Sequence, residues 1–198
     1  MKLFVTSDWH FGHRNICGEN GFVSTRKHFK NVEEMNETII ENFNSVVCKE
    51  DHTYHLGDIS LNLKPKEVHE ILCRMNGSMT LYKGNHDNTK LFKYLNANNF
   101  RLPNGRMKYD GFHEVGTIIK YEKKVFYITH FPMTLGETRP IYRNICGHIH
   151  DEEAYHANIL NVGIDSPEIP KLPFGTPILL EDAFKLCNEK WNKKFGGI

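Results

Sequence analysis

Cysteine is scarce in this 198-residue chain and scattered along it. Cys17, Cys48, Cys73, Cys146 and Cys187 are odd in number and never form a Cys-x-x-Cys pair. That argues against a disulfide framework and a cysteine-based zinc site, and predicts a reducing, cytoplasmic setting. Long apolar runs are missing too. The opening Met-Lys-Leu-Phe-Val-Thr-Ser-Asp holds an apolar stretch far shorter than a signal peptide or a bilayer span, and an acid ends it. A soluble, unexported protein with no membrane partner is the expectation. Excess charge is also lacking, since 25 Lys and Arg against 24 Asp and Glu leave a formal +1. The overall field therefore does not mark a nucleic-acid binder, although a local basic patch stays open. No repeat, low-complexity tract or linker is visible. The chain reads as one domain over residues 1–198, long enough to bury a core without covalent staples.

What the sequence does have is histidine, at 12 residues. Histidine is the commonest metal ligand and the usual acid–base group near neutral pH, so the placement of these residues carries the functional argument.

Short apolar, partly β-branched runs predict strands at Lys2 to Thr6, Thr53 to Leu56, Met79 to Tyr82, Asn144 to Cys146 and Ile159 to Val162. A hairpin is expected from Thr117 to Tyr121 and Val125 to Ile128 around a turn at Glu122-Lys123-Lys124. Helical spacing of Val32, Met35, Ile39, Phe43 and Val46 predicts a helix from Val32 to Val47. Asn31 is its N-cap and Glu34 stands at the capping-box position. Further helices are expected over Pro65 to Met75 with Gly77 ending it, around Lys90 to Asn96, and from a cap at Thr176-Pro177 to Lys193. Gly12 to Lys30 reads as a long polar loop.

Five of the predicted strands end in a turn rich in Asp, His or Asn. The clusters are Asp8-x-His10, Gly57-Asp58, Gly84-Asn85-His86-Asp87, His130 and Gly147-His148-x-His150. Strand ends are where α/β sheets collect ligand-binding groups, and glycine before the polar residue permits a tight turn. Each piece has an ordinary explanation alone. Asp8 and Asp58 suit helix N-caps, and Asn85 suits a turn. The full ordered set is far harder to explain that way.

Taken in this order, the five clusters resemble the signature of the calcineurin-like metallophosphoesterases, over about three quarters of the chain. The stretch Asp8 to Asn15 further resembles a small bacterial and phage subgroup of that family. The resemblance implies an α/β sandwich of two mixed β-sheets flanked by helices. It implies that Asp8, His10, Asp58 and His150 hold one metal ion, and that Asp58, Asn85, His130 and His148 hold a second, with Asp58 bridging. His86 is implied to be the catalytic group beside the metals, stabilising the phosphoryl charge or protonating the leaving oxygen. Asp87 is expected to orient His86 or a ligand. A mixture of imidazole and carboxylate suits two divalent transition-metal ions, manganese first and Fe, Zn, Ni or Co after it. The implied reaction is hydrolysis of phosphodiesters, and secondarily phosphomonoesters, by metal-activated water. A nucleotide or nucleic acid is one class of phosphate-ester partner.

Around this set, His13 and Arg139 are expected to contact substrate. Arg143 reads as solvated surface, with phosphate binding its other reading, and the run Arg26-Lys27-His28-Phe29-Lys30 reads as solvated surface, with nucleic-acid contact its other reading. His55 reads as structural, and Asn15 as fixing its loop. After Gly57-Asp58 the chain reads Ile-Ser-Leu-Asn and lacks the Asp-Arg-Gly of the protein-phosphatase branch, which speaks against protein dephosphorylation. Two other readings stay open: a nucleic-acid-processing nuclease, and a catalytically silent binding module of the same fold.

Overall fold

The computed structural model describes residues 1–136 and 138–196. Its strands are Leu3–Thr6 (β1), His52–His55 (β2), Ser78–Tyr82 (β3), Tyr109–His113 (β4), Gly116–Tyr121 (β5), Lys124–Thr129 (β6), Tyr142–Cys146 (β7), Ile159–Asn161 (β8) and Ile178–Leu179 (β9). Its α-helices are Val32–Val46 (α1), Pro65–Arg74 (α2), Thr89–Ala97 (α3) and Leu180–Phe195 (α4). They build two mixed sheets, ordered β4-β3-β2-β1-β9 and β5-β6-β7-β8, with helices on their outer faces. This is the expected α/β class of two mixed sheets flanked by helices.

Alternation along β1 divides the interior in two, because successive strand side chains point to opposite faces. Phe4 joins Trp9, Met35, Ile39, Phe43, Leu72, Met79 and Leu81 in a core under α1, α2 and α3. Val5 joins Leu56, Tyr82, Phe126, Ile128, Ile145 and Phe184 in a core between the sheets, closed by α4. Phe43 and Phe126 are fully buried, and truncating either to alanine would cost about 3–5 kcal/mol.

The register sets the site. β1, β2 and β3 run parallel, with Thr6 level with His55 and His55 level with Leu81. Their carboxyl ends therefore open at one edge. β6, β7 and β8 are parallel in the second sheet. A bridge between Ser7 and Gly163 brings the two sheets' carboxyl ends together.

Several local expectations need correction. Asn31 caps α1 by accepting from the Glu34 N–H at 2.8 Å, but the Glu34 carboxylate reaches the Lys30 N–H instead of closing a box on Asn31. Val46 is left exposed, while Ile40 is buried. Gly77 does not cap α2, which has already given way to extended backbone at Met75. The β5–β6 turn is two residues long: Glu122 and Lys123 both take positive φ, and Lys124 begins β6. β4, Tyr-Asp-Gly-Phe-His, carries no clean apolar pattern and gives no strand signal in the sequence. Ile178–Leu179 pairs with β1 as β9, so the last helix begins at Leu180 and not at Thr176. Among the described residues no helix is long and apolar enough to cross a membrane. All five cysteines are free.

Candidate metal centre

The loops leaving these strands carry unusual backbone. Among the described residues eight non-glycine positions have positive φ, and five of them are Asp8 (64°), His10 (54°), Asp58 (56°), His148 (74°) and His150 (46°). Left-handed backbone at non-glycine residues costs on the order of 1 kcal/mol or more each, and it concentrates where function demands it. Here it turns five side chains toward one point.

The turns are locked to one another. Asp8 N–H donates to Gly57 O and His10 N–H to Asp58 O, each at 3.0 Å. His148 N–H donates to the Asp8 carboxylate at 3.0 Å, and His86 N–H to Asp58 Oδ1 at 2.9 Å. Buried Asp87 accepts from the N–H groups of Asp58 (2.7 Å), Ile59 (3.0 Å) and Gly84 (3.0 Å). It shapes the backbone beneath Asp58, and no hydrogen bond joins it to His86 among the described residues. Gly84 and Gly147 are required for closeness, not for their dihedral angles. A Cβ on Gly84 would fall 2.1 Å from Asp58 Oδ1, and one on Gly147 would fall 2.3 Å from Asp8 Oδ2.

Three overlapping trios have donor atoms within 4.8 Å of one another: Asp8, His10 and His150; His10, Asp58 and His86; Asp58, His130 and His148. Asp58 Oδ2 stands where the second and third trios overlap, and the first trio joins them through His10. That oxygen lies 3.5 Å from His10 Nε2, 3.6 Å from His130 Nε2 and 3.9 Å from His86 Nε2. Asn85 Oδ1 lies 2.9 Å from both His130 Nε2 and His148 Nδ1. Every residue assigned to a ligand role from the sequence is thus brought together. His86, expected to stand off the metals, sits close enough to join a trio, with its side chain 36 % exposed.

The donor set fits a divalent cation. His10 Nε2 is one of nine buried side-chain atoms without a hydrogen-bond partner among the described residues, and it is the one that belongs to the donor trios. His130 Nδ1 lies 2.9 Å from Leu56 O, which can only accept, so the ring proton sits there. His130 Nε2 then turns a lone pair toward Asn85 Oδ1 and Asp58 Oδ2. Electron-donating atoms that face each other in this way are satisfied by a cation between them.

The electrostatics agree. Burial pushes the Asp58 carboxyl up to about 7, opposed by the His86 N–H and reinforced by Asp8 and Asp87. Burial pushes Asp87 up to about 6 against its three N–H donors. Burial, then Arg26 and neighbouring histidines, holds His10 far below its usual range. Burial also lowers His130, His148 and His86. Neutral imidazoles keep the lone pairs that metal ligation needs. For His150 burial pulls downward, but the hydrogen bond to Asp165 and the charge of Asp8 outweigh it, and the net shift is upward.

The supporting residues hold the surprises. His13 is buried, and its Nδ1 lies 3.3 Å from His10 Nδ1, where it orients the His10 ring and does not stand open to solvent. Burial, then His86, lowers it to about 4, so it meets His10 as a neutral ring. Arg139 is exposed on the loop after β6 and hydrogen-bonds to no cluster residue among the described residues. Arg143 is not solvated surface; it is buried, with its guanidinium 4.6 Å from the Trp191 ring and its Nε donating to Asn188. Arg26 is fully buried as well, and pairs with Asp165. Asp165 went unnoticed, yet Gly163-Ile164-Asp165 after β8 repeats the strand–glycine–acid pattern of Gly57-Asp58. Nothing in the sequence around Arg26 separates it from its solvated neighbours. His55 is structural as expected, packed against Trp9 with ring centroids 3.9 Å apart and the planes tilted by 34°.

No protein-family model matches the chain. An uncharacterized protein of Methanocaldococcus jannaschii is 38% identical over 103 residues, which cover 51% of this chain and 56% of that protein. The Gene 66 protein of Mycobacterium phage L5 is 33% identical over 88 residues, 43% of this chain and 40% of that one. The chain spans about half the length of the curated relatives it matches. A protein of unknown function from Aquifex aeolicus, known from its crystal structure, aligns with a TM-score of 0.65 at 24% identity. That alignment covers 93% of this chain and 98% of the other, and it shows a shared fold.

Proposed function

We propose that this chain is a phosphoric ester hydrolase working with two divalent metal ions, manganese first among them, on a metallophosphoesterase-type sandwich. The observation that carries the reading is the convergence of three donor trios on Asp58 and His10, with His10 Nε2 buried and unpartnered. The resemblance of the five sequence clusters to the calcineurin-like family supports the same reading. Five free thiols go with a cytoplasmic setting.

Asp8, His10, Asp58 and His150 would hold one ion, and Asp58, Asn85, His130 and His148 the other. Such ions supply positive charge for an anionic phosphate and lower the pKa of water toward about 7. The chain's own contribution is placement. Asp87 and the linked turns fix Asp58, and His13 presents His10 in one orientation. His86 is neutral at pH 7 and partly exposed above Asp58, so it offers an N–H to the phosphoryl group. An arriving anion raises its proton affinity, which suits protonation of a leaving alkoxide. Asn85 and His86 are exposed, so the edge is open to substituents on both sides of phosphorus. That favours diesters over monoesters.

The test combines elemental analysis with a substrate panel. Purified protein should carry close to two transition-metal ions per chain, and a chelator should abolish hydrolysis of bis-(p-nitrophenyl) phosphate. The same protein should turn over p-nitrophenyl phosphate with a lower kcat/KM. Full activity in metal-free protein would overturn the two-metal mechanism.

A further inference from the structure

Two of the exposed large apolar side chains stand against the donor cluster. Phe22 is 63 % exposed and Phe131 is 49 % exposed. Neither belongs to a buried core. The Phe22 ring lies 5.5 Å from that of His13 and meets His150 edge-on at 6.4 Å. The Phe131 ring lies 4.9 Å from that of His130 and 4.7 Å from that of His148. One phenyl ring thus flanks the Asp8, His10 and His150 trio, and the other flanks the Asp58, His130 and His148 trio. Their imidazole contacts orient both rings and leave each with surface toward solvent.

We propose that Phe22 and Phe131 are stacking platforms for two aromatic groups, one on each side of the scissile phosphorus. The substrate they fit is a diester joining two nucleosides: a dinucleotide or a short single strand. The inference rests on the phosphoesterase reading above and adds what the ester carries. One arrangement favours nucleosides over alkyl groups, and the charge balance favours a short ester. Phenyl rings are flat, and they stand at both ends of the donor cluster. The overall charge is near zero, so a long polyanion gains little from the general field. Stacking on phenylalanine is tolerant of sequence because every base has a π-face, so little preference among bases is expected.

The experiment uses the full chain loaded with manganese, as wild type and as Phe22→Ala, Phe131→Ala and the two Phe→Tyr variants. Both positions are largely exposed, so the alanine variants should fold. Two probes are needed: adenylyl-(3′→5′)-adenosine for turnover, and its phosphorothioate analogue for direct binding by calorimetry. Bis-(p-nitrophenyl) phosphate is run alongside as a test of hydrolysis itself. Each alanine variant should raise the dinucleotide KM and the analogue's Kd about tenfold, within the range for losing one stacked base. kcat should stay close to wild type, and tyrosine should restore binding. Unchanged KM and Kd in both alanine variants, with the aryl diester still hydrolysed by wild type, would overturn the platforms and leave the phosphoesterase reading standing. A loss at one platform only would overturn the two-nucleoside assignment. A wild type that hydrolyses no ester but binds the analogue through both rings would overturn hydrolysis and keep the platforms. Neither binding nor hydrolysis would overturn both.

Discussion

Arg26 and Asp165, 139 residues apart in sequence, form a fully enclosed ion pair that ties two sides of the ligand cluster together. Arg26 Nε donates to both Asp165 oxygens at 2.9 and 3.1 Å, and Nη2 donates to Oδ2 at 2.5 Å. The same guanidinium donates to the carbonyls of Asp8 at 2.6 Å and Trp9 at 3.0 Å, beneath the turn that presents Asp8 and His10. Asp165 Oδ2 lies 3.3 Å from His150 Nδ1 and sets that ring. Breaking a buried pair by removing one partner costs about 3–5 kcal/mol, because the other charge stays buried and alone. Arg26→Gln should therefore lower the free energy of unfolding in urea by that order. It should also weaken the metal ion proposed for Asp8, His10 and His150. A loss below about 1 kcal/mol with full metal content would show that the pair bears no such weight.

Separate variants should divide holding metal from using it. Asp58 belongs to two trios, so Asp58→Asn should strip both ions. His86 is the most exposed of the ring nitrogens measured against Asp58 and lies farthest from it, at 3.9 Å. His86→Ala should keep nearly full metal content while turnover falls by ~10²-fold or more, the scale for losing a general acid. Elemental analysis and turnover on the same sample decide between the roles. Loss of an ion in His86→Ala would make His86 a ligand.

Crowding at Gly147 gives a sharper structural test. An added Cβ would meet Ser7 Oγ at 2.1 Å and Asp8 Oδ2 at 2.3 Å, and Asp8 also receives the His148 N–H. Gly147→Ala must push the Asp8 carboxylate aside. Metal affinity should fall by about 10–100-fold, as for other displaced supports of a metal site. Unaltered affinity in a metal titration would mean that Asp8 is not held where it is needed.

The sequence carried the proposed ligand set because each cluster follows a strand and bears the chemistry in its own residue types. Asp8, Asp58, Asn85 and His148 needed no tertiary information to be noticed. The strand ends converge through parallel register, which short apolar runs imply. What went unread depended on contacts distant in sequence. Arg26 and Arg143 look solvated in sequence, and partners far along the chain, Asp165 for one and Asn188 and Trp191 for the other, help make their burial tolerable. β9 is two residues long and has meaning only against β1. Asp165 was legible in principle, since it follows Gly163 as Asp58 follows Gly57, but with a residue between.

His52 offers a pH test away from the metal ligands. It is buried in β2, with Nδ1 2.8 Å from Ser78 Oγ, Nε2 2.9 Å from Thr80 Oγ1 and the Arg106 guanidinium 3.3 Å from Nδ1. Burial, and then Arg106, lowers its pKa from an ordinary 6.5 to about 4. The unfolded chain therefore takes up this proton first as pH falls. Stability from a neutral His52 is complete above pH 6.5, is lost as pH drops toward 4, and falls no further below that. The difference corresponds to roughly 3 kcal/mol. His52→Gln keeps polar groups at the site and removes the titration. Wild type should be the more stable protein at pH 7, and its advantage should shrink by about 2–3 kcal/mol between pH 7 and pH 4.5. Histidines of the metal site titrate alike in both proteins and cancel in the difference. Urea unfolding at the two pH values reads the gap directly, and a gap independent of pH would mean that His52 is not held neutral by the fold.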